Sequence, residues 1–143
     1  MGTVVQDIET HGWHCVFVFD PEGKHADFAY SIGFEESYRH PEIIVFGLGK
    51  DVSHAILADI AEDLRKGTVY ETHRRVSDVI GGGLDVCFRP LKPEAYGEYL
   101  GTAMSYYQRP FRALVMLWPD RSNVLPHENG WEENGQAEAI EIV

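Results

Sequence analysis

A mixed α+β fold built on a mostly antiparallel sheet is what this sequence predicts, and three observations predict it. Stretches rich in β-branched and aromatic residues at 13–19, 27–34, 42–48, 68–76, 84–90 and 112–118 read as six strands. Two stretches with helical periodicity fall between the third and fourth strands and between the fifth and sixth. The resulting order, β-β-β-α-β-β-α-β, lacks the strand-helix alternation of a doubly wound parallel sheet, and consecutive strands usually pair as neighbours. An open sheet and a split-barrel-like β-barrel both satisfy this order, with two main helices packed outside.

Each element has a local reason. Residues 3–11 carry Val4, Val5 and Ile8 among polar residues and read as a short amphipathic helix stopped by Gly12. WHCVFVF follows as the first strand, and Asp20-Pro21-Glu22-Gly23 turns the chain: Pro presets φ and Gly accepts a positive one. In the second strand Phe28, Tyr30, Ile32 and Phe34 share one face, while Ala29, Ser31 and Gly33 share the other. The first face belongs in a core. The second is almost bare of side chain, so a helix, another sheet or a ligand can approach its backbone. The third strand is apolar on both faces and should be buried on both. In the helix at 52–66, Val52, Ile56, Ile60 and Leu64 form an i, i+4 row, with Asp51 at the start and Gly67 at the end. Residues 68–76 have one polar face and suit an edge, and Gly81-Gly82-Gly83 is a turn. The second helix opens near Pro93 and presents Tyr96, Leu100, Ala103 and Tyr107; Gly97 and Gly101, four apart, suit close packing on one face. Pro119-Asp120 ends the last strand, and the tail is loop-like.

Composition narrows the function classes. One hundred and forty-three residues suit a single domain over 1–143. A net charge of −11, from 12 basic and 23 acidic residues, argues against a nucleic-acid partner. The short basic run His73-Arg74-Arg75 reads as an exposed strand segment, with an anion contact as the alternative. No apolar run approaches the roughly 20 residues that cross a bilayer, and the first residues carry no export signal. A cytoplasmic location without membrane contact is therefore expected. Cys15 and Cys87 lie in strand-like runs and read as reduced, buried hydrophobes, with a disulfide or a nucleophile as the alternatives.

The segment Glu35 to Glu42 gathers three carboxylates, Arg39 and His40 between two buried strands. That set supplies an acid, a base and an anion clamp, or it is a solvated hairpin loop. His40 is the natural acid or base because imidazole titrates near neutrality. Trp118-Pro119-Asp120 reads either as a core seal or as the wall of a ligand slot in which Asp120 binds a hydroxyl or amine. His127-Glu128 adds a second ionisable pair. Seven histidines raise the question of metal, but HExxH and paired CxxC are absent, and no metal site is assigned. Nucleotide loops and the Gly-x-Ser-x-Gly elbow are absent as well.

His11-Gly12-Trp13, then FAYSIGF at 28–34, Pro41-Glu42, Phe46-Gly47-Leu48, Trp118-Pro119-Asp120 and Pro126 together resemble the bacterial family catalogued as domain of unknown function 4262. The resemblance covers residues 8–136 and leaves 137–143 as an edge strand or a mobile tail. Family members usually have Thr where Ser31 stands and Trp where His127 stands. The resemblance implies no activity. At the level of element order alone, the chain is similar to flavin-binding split barrels, which implies a flavin against the Ala29, Ser31, Gly33 face. The resulting expectation is a small-molecule-binding domain, with or without catalysis. Its pocket would lie between the strand at 30–33, the loop at 40–42 and the turn at 118–120. His40, Glu42 and Asp120 are the candidate catalytic residues; Tyr30, Ser31, Gly33, Trp118 and His127 are the candidate ligand contacts. The alternatives are an acidic interaction or immunity-type protein that covers a basic partner, and a flavin oxidoreductase. Self-association is compatible with all of them.

Overall fold

The computed structural model describes residues 2–143, as an α+β fold with a six-stranded sheet. The elements are α1 (Gly2–His11), β1 (His14–Val18), β2 (Phe28–Ile32), α2 (Phe34–Tyr38), β3 (Glu42–Phe46), α3 (Lys50–Arg65), β4 (Arg75–Val76), β5 (Val86–Pro90), α4 (Tyr96–Tyr99), α5 (Gly101–Tyr107) and β6 (Ala113–Leu117). Short 3₁₀ turns occupy Pro93–Ala95 and Ala139–Glu141. The strand order is β1-β2-β3-β6-β5-β4. All neighbours are antiparallel except β3 and β6, which run parallel with Glu42 beside Ala113 and Ile44 beside Val115. β1 and β4 are the two edges of an open sheet, so the split-barrel expectation is corrected: the sheet does not close.

Both faces of the sheet are covered, and this decides what the bare flank of β2 is for. One face buries Phe28, Tyr30, Ile32, Ile44, Phe46, Val115 and Leu117 against α1, α4, α5 and the tail, where Ala139 is fully buried. The other buries Ala29, Ile43, Val45, Phe88 and Met116 against Leu57, Ile60, Ala61 and Leu64 of α3. Ala29 and Ser31 are completely inaccessible. The small residues of β2 therefore admit the chain's own helix, and no open flank remains for a flavin. Phe34 leaves the Tyr30 face and joins the α3 side, because Gly33 (φ +118°) ends the strand before it.

Four further expectations change. Residues 34–38 form a helical turn instead of strand and loop. Among residues 68–76 only Arg75–Val76 and one bridge, Thr72 to Phe88, join the sheet, since His73 takes a left-handed conformation (φ +62°) between them. The second helix is broken at Leu100 (φ −112°, ψ 34°), and Gly97 and Gly101 face open space instead of a packing partner. The tail beyond residue 136 adds no strand; it docks through the Ala139–Glu141 turn and through Glu138, which accepts from His25, the Ala26 N–H and Tyr99.

Cys15 and Cys87 are both free thiols. Among the described residues, no helix is long and apolar enough to cross a membrane.

Candidate functional site

The residues singled out by sequence fall at opposite ends of the sheet. β2 and β3 are antiparallel with Phe28 beside Phe46, so Ser31 and Gly33 lie at the Glu42 end. β6 runs parallel to β3 and carries Trp118 to the Phe46 end. Five strand residues separate the two ends by about 13 Å. The expected single pocket is thus divided in two.

At the first end, Glu42 is 1% exposed and accepts five hydrogen bonds. The Ser31 hydroxyl donates to Oε1 at 2.7 Å and the Phe34 N–H at 3.1 Å. The Gly33 and Glu35 N–H groups donate to Oε2 at 3.1 Å each, and the Tyr107 hydroxyl donates to the same oxygen. Three of these donors are the first N–H groups of α2, which has no side-chain cap of its own. The carboxylate therefore does the work of a capping residue from a neighbouring strand. Burial pushes the Glu42 carboxyl up to about 7, against the opposing pull of Tyr107, Ser31 and the backbone donors. Burial first, and then the charge and hydrogen bond of Glu42, push the Tyr107 hydroxyl well above its ordinary range. Ser31 is used twice, since its oxygen also accepts the Ile43 N–H at 3.0 Å. Gly33 leaves no room for anything else: a Cβ there would stand 2.6 Å from the Gly12 carbonyl oxygen and 2.8 Å from Trp13 Cα.

His40 sits beside this cluster and is 3% exposed. Its Nδ1–H donates to the Pro41 carbonyl at 2.9 Å, and its Nε2 accepts the Tyr70 N–H at 3.4 Å. Those two bonds fix the neutral tautomer. Burial holds its pKa below the ordinary value for imidazole. Both nitrogens are occupied, so His40→Ala should cost about 1–2 kcal/mol of stability by stranding the Tyr70 N–H and opening a cavity. Urea denaturation monitored by circular dichroism measures this. Tyr30, 1% exposed, stacks on Phe28 and is packed within the core.

At the second end, Trp118, Pro119 and Asp120 line a cleft of about 530 Å³ with Ile80, Leu84, Arg121, Glu132, Glu133 and Asn134. The indole is fixed, because Trp118 Nε1–H donates to the Phe46 carbonyl at 2.7 Å. Its backbone is clamped by Gln136, which accepts the Trp118 N–H at 2.9 Å and donates to the Trp118 carbonyl at 2.6 Å. Gln136 is fully buried. The tail reaches this position because Gly135 lies directly on Gly47, where a Cβ would meet the Gly135 oxygen at 2.8 Å. Asp120 organises the loop behind the cleft: it accepts the N–H groups of Ser122, Val124 and Glu132 at 2.9–3.0 Å. Those donors, Glu132 first, hold its carboxyl below the ordinary range. His127 lies outside the cleft walls, on the exposed part of the same loop. The neighbouring Glu128 is tied to Arg75, which also binds Asp85. Arg75 thus closes an internal network, and Arg74 pairs with Glu71.

Sequence reasoning missed Tyr107 as a hydrogen-bond donor and Gln136 as a clamp. Tyr107 was legible only as an apolar helix position, and a lone Gln in a loop-like tail carries no pattern. Among the described residues, no three His, Cys, Asp or Glu side chains converge as metal ligands.

No curated protein and no solved structure matches the chain. The family model described as a domain of unknown function (DUF4262) does match, over residues 7–132, and the chain belongs to that family.

Proposed function

We propose that this protein is a small-molecule-binding domain whose ligand occupies the cleft beside Trp118. The observation that carries this reading is a preorganised aromatic wall. The indole is anchored by its own N–H, the backbone behind it is clamped by Gln136, and the cleft volume suits an amino-acid-sized to nucleoside-sized ligand. Ile80, Leu84 and Pro119 extend the apolar surface. Arg121 and Glu132 stand on the rim, and neither forms an ion pair among the described residues. An apolar or aromatic body with one positive and one negative end satisfies this lining. In this reading Glu42, His40 and Asp120 are structural, because their hydrogen-bonding groups are taken up by the chain's own backbone and hydroxyls.

The test is a ¹H–¹⁵N and methyl NMR titration with L-phenylalanine and L-leucine, using phenylacetate and phenethylamine as singly charged controls. The zwitterions should shift the Trp118 indole N–H and the Ile80 and Leu84 methyls. Arg121→Ala should weaken them by about tenfold. Shifts confined to the His40–Tyr70 region, or none in the cleft, would refute the assignment.

A further inference from the structure

We propose that β1 is a self-association edge, on which a second copy of this chain pairs antiparallel about a two-fold axis at Val16, giving one sheet continuous through both copies. β1 pairs with β2 and with no other strand among the described residues. The stretch from Trp13 to Phe19 carries no acidic side chain, no Lys and no Pro, and so lacks the devices that usually protect an edge. The opposite edge, β4, is only two residues long.

The choice of a second copy rests on self-complementarity. A two-fold axis perpendicular to the sheet keeps each side chain on its own face, so facing residues must share parity. Centring it on Val16 pairs all five residues of β1, with Cys15 opposite the second copy's Phe17 and His14 opposite its Val18. Extended by one residue, the same register sets Phe19 opposite Trp13. Phe19 is 64% exposed, the second most exposed of the large hydrophobics. The α3 side of Trp13 holds what such a ring needs: a cleft of about 430 Å³ lined by Cys15, Phe17, Lys50, Asp51 and His54, with the Trp13 and His54 rings 5.7 Å apart. One copy supplies the projecting aromatic ring and the other the receptor, twice over.

The experiment uses the full chain. At about 100 μM, light scattering coupled to size exclusion should give about twice the 16.2 kDa chain mass. Phe19→Lys should give the single-chain mass with an unchanged circular dichroism spectrum. In a Cys15→Ser background, Val16→Cys should form an intermolecular disulfide on mild oxidation, since facing Cα atoms in an antiparallel pair lie about 4.5–5.5 Å apart. Val18→Cys in the same background should stay reduced. A wild-type monomer at that concentration overturns the proposal. So does a dimer that survives Phe19→Lys, or one in which the Val16 cysteines do not cross-link.

Discussion

Glu42→Ala is expected to be the most damaging single substitution in the protein, costing about 4 kcal/mol or more. It would strand the hydroxyls of Ser31 and Tyr107 and the N–H groups of Gly33, Phe34 and Glu35 around a space that a carboxylate now fills. A domain of this size is stable by only about 5–15 kcal/mol, so the alanine variant should unfold at much lower urea or fail to accumulate. Glu42→Gln keeps the volume and one acceptor oxygen, but points an NH₂ at donors. It should fold with an intermediate loss of about 2 kcal/mol. If both variants unfold at the wild-type midpoint, the carboxylate is not the cap of α2.

Gly33→Ala should cost about 3–5 kcal/mol, for two reasons that add. The backbone there has φ +118°, which an L-residue adopts only under strain. The added methyl would also meet backbone atoms of Gly12 and Trp13 at 2.6 and 2.8 Å, and backbone yields less readily than a side chain. Gly97→Ala is the matching control. It lies within α4, its φ is not positive, and nothing stands within 4 Å of the new methyl, so it should be neutral or stabilise by about 0.5–1 kcal/mol. Equal midpoints for the two variants in urea would contradict this account of why β2 ends where it does.

These two positions also show what sequence could and could not reveal. The strands were legible because β-branched and aromatic residues cluster in them, and α3 because Ile56, Ile60 and Leu64 repeat at helical spacing. The centrality of the stretch from Phe28 to Gly49 was legible too: β2 and β3 are buried along their whole length. The helical turn at 34–38 was not, because its N-terminal donors are satisfied by a carboxylate eight residues away from Phe34 instead of by a local cap. The bare face of β2 had several possible occupants, and periodicity cannot tell a helix of the same chain from a ligand. The split of the candidate residues between two ends of the sheet depends on β3 and β6 being parallel. That pairing joins residues about 70 apart, and no local pattern encodes it.

One buried carboxylate, Glu42, holds α2 and α5 to the end of the sheet. Because its pKa is raised in the folded chain, the folded state binds that proton more tightly than the unfolded one. Its contribution to stability is therefore full below about pH 4.5 and declines as pH rises toward 7, by about 3 kcal/mol in all. The direct measurement is a ¹³C NMR titration of the Glu42 carboxyl carbon, followed alongside the amide protons of Gly33, Phe34 and Glu35. The expected result is one shared midpoint near pH 7 for the carbon and all three amides. Amides of Gly33, Phe34 and Glu35 that stay still while the Glu42 carboxyl carbon titrates would contradict it.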